Sequence, residues 1–445
     1  MLKTGATRFI FRNYEVKGLT IIFYYRVEFE NHGFEEFHES VDFSQIKISG
    51  NVSDEIFQKI SLGLHLLLGI NYFKLYLPSQ ITIDSGQITR EEAEIWNVIY
   101  TKSLGEFYYK NQINFHHFIQ FPYKKISSSV FKLDPIEENK ALVPIGGGKD
   151  SIVTAMMLKE KKTPLMGFTV NRHPIQDRII KELGIDSINI TRTIDPKMVA
   201  LSEAGKVYAG HVPATAFYSL LATMAGYLTG ARTIIMSSER SANYGNVNYL
   251  GEPINHQWSK SKEFEDLFRT YLKKFVSPSL EYFSLLRPYF EIEIVRRFCQ
   301  YPEFFSLFSS CNRNFKLENA LKNRLWCGGC EKCAFIFCLL SAFIQKASLL
   351  AIFGKDLYSD KYLLDTYREL LGIKNFKPFQ CVGTPEEVKV AFYMASQLRQ
   401  YNDEVAMNMF NLEAKPKLAD VRLFKKRVFS SYGSHNISPV YLNEN

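Results

Sequence analysis

Three glycines and a charged pair, Ile145-Gly146-Gly147-Gly148-Lys149-Asp150-Ser151, stand between an apolar segment and a helix-forming one. Ala141-Leu142-Val143-Pro144 reads as a strand, and Ile152-Val153-Thr154-Ala155-Met156-Met157-Leu158-Lys159 reads as a helix. A glycine-rich turn from strand to helix constrains the fold more than any other stretch of this chain. It calls for a helix whose first N–H groups and positive dipole end are open to an anion. Three residues without Cβ let a phosphate approach the backbone. Lys149 adds a point charge, Asp150 a Mg²⁺ contact or a helix cap, and Ser151 a hydroxyl. The spacing is neither G-x-x-x-x-G-K-[ST] nor G-x-G-x-x-G. The alternative use of such a run is a turn capped by Asp150, with no ligand.

The rhythm around the turn fixes its setting. From residue 141 strands and helices alternate: Leu142 to Ile145, Pro164 to Val170, Ser187 to Ile190 and Thr233 to Met236 are strands. Helices run through Asp177 to Leu183, ending at Gly184, and from Ala214 to Leu228, ending near Gly230. This βαβ order predicts a parallel sheet with crossover helices. Ligands of such sheets bind at the carboxyl ends of the strands, which here carry Gly146 to Ser151, Asn171, Arg192 and Ser237 to Arg240. Before residue 135 the pattern differs: alternating segments at Phe9-Ile10-Phe11, Leu19 to Val27 and Phe34 to His38 predict an antiparallel sheet, and 53–74 and 90–110 have helical spacing. The expected organisation is an α+β domain at 1–135, an α/β nucleotide domain at 136–348 and a mixed helical extension at 349–445. The polar stretch 134–140 is the expected linker.

At 445 residues the chain can hold two or three cores. Its net charge of +8 suits a polyanionic substrate, but no dense basic block points to nucleic acid; Lys425-Lys426-Arg427 is short and reads as a solvated face. The N-terminus lacks the apolar core of a signal peptide, and the longest apolar run, Cys333 to Ile344, is too short for a membrane span. A cytoplasmic protein is expected. The seven cysteines argue against disulfides because four are grouped: Cys311, Cys327, Cys330 and Cys333, as C-x15-C-x2-C-x2-C. Four thiolates suffice for a closed tetrahedral zinc site; an iron–sulfur cluster or a redox pair are the alternatives. Cys338, in the apolar helix after the cluster, reads as core, and Cys299 and Cys381 carry no pattern. His211, before the helix at Ala214, is a candidate general base or substrate contact, against the commoner structural role; His173 and His256 are weaker candidates of the same kind.

The glycine turn resembles the pyrophosphate loop (PP-loop) of the ATP pyrophosphatases, S-G-G-x-D-S, with Gly146 in place of the first serine and so one hydroxyl donor fewer. That resemblance implies a PP-loop (HUP-like) nucleotide domain that splits ATP to AMP and pyrophosphate with Mg²⁺, adenylating a carboxylate or carbonyl oxygen. It implies that Gly146, Gly147, Gly148, Lys149, Asp150 and Ser151 hold the phosphates, that Val170 and Asn171 lie near adenine, and that Ser238, Glu239 and Arg240 close the fourth strand. Glu239 would then assist Mg²⁺ and Arg240 a carboxylate or phosphate, against a helix cap with a surface ion pair. A cysteine cluster of similar placement follows the nucleotide domain of 7-cyano-7-deazaguanine synthase, a PP-loop enzyme with structural zinc. The order of α+β domain, Gly-Gly-Gly-Lys-Asp-Ser, Ser237-Ser238-Glu239-Arg240-Ser241-Ala242-Asn243 and Trp326-Cys327-Gly328-Gly329-Cys330-Glu331-Lys332-Cys333 resembles the UDP-N-acetylmuramoyl-L-alanyl-L-glutamate epimerases. That implies an ATP-dependent epimerase of peptidoglycan precursor synthesis acting on a nucleotide-sugar dipeptide, with Lys149 or His211 as its base and Arg240 or Arg192 at the substrate. The rivals are another PP-loop adenylating enzyme and a non-catalytic nucleotide-binding regulator.

Overall fold

Residues 5–49, 52–126, 132–133, 140–315, 324–418, 420–431 and 433–442 are described in the computed structural model. The expected linker at 134–140 lies outside them apart from Lys140. Alternation builds the first sheet half. In β1 (Ala6–Lys17), β2 (Thr20–Phe29) and β3 (Phe34–Asp42), neighbours run antiparallel, and β2 turns Ile21, Phe23, Tyr25, Val27 and Phe29 inward while its other side chains stay partly exposed. β4 (Gln80–Ile83) adds a short parallel edge to β1.

The second half is parallel: β5 (Ala141–Pro144), β6 (Leu165–Val170), β7 (Ser187–Thr193), β8 (Thr233–Met236) and, after a hairpin of β9 (Val247–Tyr249) and β10 (Glu252–Ile254), β11 (Glu281–Ser284). Antiparallel pairing of β3 with β7, Val41 opposite Arg192, fuses the halves into one nine-stranded sheet in the order β11-β8-β5-β6-β7-β3-β2-β1-β4. The α/β class expected from the sequence is the class observed.

The central strands are buried on both faces, which explains their unbroken apolar runs. Leu142 and Ile234 enter one core, together with the helices Asp54–Leu68 and Ala214–Thr229. Ala141, Val143 and Ile235 enter the other, with Lys149–Glu160, Pro174–Leu183 and Glu291–Phe298. That second core continues into the helix Glu331–Ser341, buried from Lys332 onward, and Pro385–Gln397 packed upon it. Among the described residues no helix is long and apolar enough to cross a membrane.

Candidate functional site

β5 ends at Pro144, and Ile145 stays tied to β6 through its N–H to the Phe168 carbonyl, at 2.9 Å. The chain then turns through the glycines into the helix Lys149–Glu160. Gly147 has φ +90°, a conformation side chains rarely adopt. Gly148 caps the helix without any side-chain hydrogen bond, so among the described residues no N-cap side chain satisfies the first-turn N–H groups. Ser151 Oγ donates to the Gly148 carbonyl at 3.1 Å. The turn forms one wall of a cavity of about 410 Å³, within the range of small-molecule sites. Its lining includes Gly146, Gly148, Asp150, Ser151, Val170 and Ser238 from the predicted set, and also Lys260, Lys332 and Cys381.

Lys149 is not on the lining of this cavity, although its partner Asp150 is. The Lys149 side chain is 1% exposed, and Nζ meets Asp150 Oδ1 at 2.5 Å and Glu291 Oε1 at 2.9 Å. Burial disfavours its charge, but the two carboxylates outweigh that and hold it firmly protonated. Lys149 is therefore a fixed cation rather than a base. Glu291 also faces Lys332 Nζ at 3.5 Å. Glu239 is buried, and its Oε2 has no hydrogen-bond partner among the described residues. Burial, with Glu291 and Asp150 nearby, raises its carboxyl above the usual carboxylate range despite Lys260. A buried, unpaired carboxylate oxygen near Asp150 fits a Mg²⁺ ligand set of hard oxygens. The open helix end, flanked by Lys260 and Lys332, fits a polyphosphate.

The remaining predicted residues divide. Asn171, with φ +48°, exchanges hydrogen bonds with the Arg192 backbone, both at 2.8 Å, and ties the ends of β6 and β7 together. Arg192 is committed to the seam: Nε meets Glu39 Oε1 at 2.5 Å and its guanidinium covers Phe217. Arg240 lies over Phe290 and lines a separate cavity of about 440 Å³ with Glu386, Lys389, Phe424 and Arg427. His211 is not on the glycine-loop cavity. It packs against His256, ring centroids 4.5 Å apart, with Nδ1 3.4 Å from Glu106. Burial and the His256 charge push it down to about 4, so it is neutral near pH 7.

Cys381, without a pattern in the sequence, is brought into the cavity wall. His256 acts on its side chain electrostatically, and His256 Nδ1 hydrogen-bonds the Glu106 carboxylate. Burial disfavours the His256 charge, but those two partners raise it to about 9. Burial also opposes the Cys381 thiolate, yet Lys260 and His256 bring the thiol down to about 6.

The four clustered cysteines do meet. Their sulfurs all lie within 4.8 Å of one another, with Cys327 to Cys333 at 3.7 Å and Cys330 to Cys333 at 3.5 Å. Ligands about 2.3 Å from a zinc in a tetrahedron are about 3.8 Å apart, so the donor set fits that ion. Gly328, at φ +65° and with Lys355 Cε where a Cβ would project, permits the turn between Cys327 and Cys330.

Family models described as the MurL N-terminal domain and the MurL C-terminal domain match residues 2–285 and 307–423. The UDP-N-acetyl-alpha-D-muramoyl-L-alanyl-L-glutamate epimerase of Xanthomonas oryzae pv. oryzae (strain MAFF 311018) is 34% identical over 84% of this chain and 83% of its own length. A protein of the same name from Micromonospora sp. (strain ATCC 39149 / NRRL 15099 / SCC 1413) is 34% identical over 85% and 83%. Another, from Salinispora tropica (strain ATCC BAA-916 / DSM 44818 / JCM 13857 / NBRC 105044 / CNB-440), is 33% identical over 83% and 80%. No solved structure matches the chain. Two family models that together take in the glycine loop and the cysteine cluster, and relatives aligned over most of both lengths, establish that this chain belongs to the MurL family.

Proposed function

We propose that this protein converts the terminal L-Glu of UDP-N-acetylmuramoyl-L-Ala-L-Glu to D-Glu in peptidoglycan precursor synthesis, splitting ATP to AMP and pyrophosphate. The observation that carries this reading is the uncapped helix end at Gly146–Lys149, open to a cavity that also presents Asp150, Lys260 and Lys332. Membership of the MurL family supports the epimerase half of it.

The chemistry requires activation. Removing an α-proton beside a carboxylate creates a second negative charge on the same carbon framework. Attack of a carboxylate oxygen on the α-phosphorus of ATP, with pyrophosphate leaving, masks that charge and leaves a carbonyl able to accept the C–H electron pair. In the PP-loop arrangement the N–H groups of the glycine turn and Ser151 bind phosphate oxygens, and Lys149 fixes Asp150 and Glu291 in place. Asp150 and Glu239 would hold Mg²⁺, which neutralises phosphate charge. Val170, Met236 and Tyr218 on the same wall flank adenine. Arg240, Lys389 and Arg427, which line a second cavity with Glu386 paired to Arg427, give it a net positive charge that suits the anionic remainder of the substrate. Cys311, Cys327, Cys330 and Cys333 would hold a structural zinc. ATP and a nucleotide-linked precursor place the reaction in the cytoplasm.

Incubation with ATP, Mg²⁺ and the L-Ala-L-Glu substrate in deuterated water tests the proposal. AMP with deuterium at the glutamate α-carbon is the expected result. AMP without α-exchange would replace the epimerase by a ligase or synthase.

A further inference from the structure

We infer that Cys381, oriented by His256 and Glu106, is the base that removes the glutamate α-proton. This rests on the reading above that the glutamate carboxylate is adenylated at the glycine loop.

Three groups compete for the role, and the geometry separates them. Lys149 is buried behind the loop and bound to two carboxylates. His211 sits beyond His256 and does not reach the cavity that the loop lines. Cys381 is on the wall of that cavity, with Gly146, Gly148, Asp150 and Ser151 on the same lining. An acyl group activated at the loop is then confined with Cys381 in one space of about 410 Å³.

Beside Cys381 stands His256, whose Nδ1 hydrogen-bonds Glu106, and whose charge acts on the thiol together with that of Lys260. Glu106 is 5% exposed and is also paired with Lys110, at 2.5 Å. A buried carboxylate fixes the ring orientation and keeps the imidazole cationic, and the cation stabilises the thiolate. The charges that act most on Cys381 are the cations Lys260, His256 and Lys332, with Lys377 also near and the Glu106 carboxylate behind His256. The resulting thiol, near pH 6, is ionised at neutral pH and matched to proton abstraction.

The step balances as a proton transfer. The thiolate lone pair takes the α-proton, the S–H bond forms as the C–H bond breaks, and the C–H electron pair moves into the acyl carbonyl to give an enolate. Water protonates the opposite face, and the hydroxide so formed takes the proton from the Cys381 thiol. His256 and Glu106 are positioning residues; neither touches the substrate.

Two readouts on the full-length protein separate this from the adenylation reading. In Cys381→Ser, ATP–pyrophosphate exchange persists within about threefold while α-deuteration falls by about 10²–10⁴-fold. Near wild-type deuteration in that variant overturns the inference, and so does parallel loss of exchange and deuteration. Alkylation of the wild-type protein by iodoacetamide, followed at the Cys381 peptide by mass spectrometry, needs no variant. Its rate rises with a midpoint near pH 6, and His256→Asn moves that midpoint up by about one unit or more. A midpoint in the ordinary thiol range overturns the inference. Absence of pyrophosphate exchange in the wild-type protein defeats the adenylation reading alone, because the alkylation midpoint still reports on Cys381.

Discussion

Replacing glycines one at a time in the loop tests whether its conformation, rather than its mere smallness, serves ATP. At Gly147, φ is +90°, and an L side chain there costs about 1–3 kcal/mol. The loop can shed that strain by turning its N–H groups out of the binding arrangement. Binding must then restore it, and 1–3 kcal/mol corresponds to about 5- to 150-fold in affinity. At Gly146 a Cβ would meet nothing within 4 Å, and φ is not positive. Gly147→Ala is therefore expected to raise the ATP Kd by about 5- to 150-fold, and Gly146→Ala to change it by less than about twofold. Titration calorimetry with ATP and Mg²⁺ reads both. Gly146→Ser, which restores the missing hydroxyl of the PP-loop pattern into open space, is expected to tighten binding about tenfold. Equal losses at the two alanine variants, or none at Gly147, would refute the argument.

Lys149→Met strands two carboxylates, one of them 1% exposed; unfolding in urea should show a loss of about 3–5 kcal/mol, and a change below about 1 kcal/mol would contradict the fixed-cation role. Purified protein should carry about one zinc per chain by elemental analysis, and Cys330→Ser should lose it together with stability, since thiolate sites fold around their ion. Glu106→Gln should destabilise most between pH 4.5 and 6.5. Glu106 is depressed from 4.5 to about 2, so its contribution is full above 4.5 and is lost as pH falls toward 2; His256 is raised from 6.5 to about 9, so its contribution is full below 6.5 and is lost as pH rises through 9. A stability difference that is flat with pH would rule out the ion pair.

Local patterns carried the parallel strands, because Leu142, Ile234 and their neighbours are apolar on both faces and are separated by helix-period segments. The meander was legible from β-branched and aromatic runs with alternation at Tyr25-Arg26-Val27-Glu28-Phe29. The pairing of Val41 with Arg192, which fuses the two halves, was not. Register between strands some 150 residues apart depends on tertiary docking, and Arg192 read as a strand-end ligand residue instead of a partner for Glu39. The glycine loop and the cysteine quartet were visible because their function requires fixed spacing. Cys381 was invisible because His256 and Glu106 reach it from distant segments. Lys149 looked like a free loop cation for the same reason, since Glu291 lies 142 positions away.

The adenylate is the claim on which the rest depends, and oxygen tracing addresses it directly. Substrate carrying ¹⁸O in the α-carboxylate of its terminal glutamate is turned over with unlabelled ATP and Mg²⁺, and the nucleotide product is analysed by mass spectrometry. AMP containing one ¹⁸O atom is the predicted result, because the carboxylate oxygen bonds to the α-phosphorus and stays there when the acyl bond is hydrolysed. Unlabelled AMP, or ADP in its place, accompanying D-Glu formation would contradict the account.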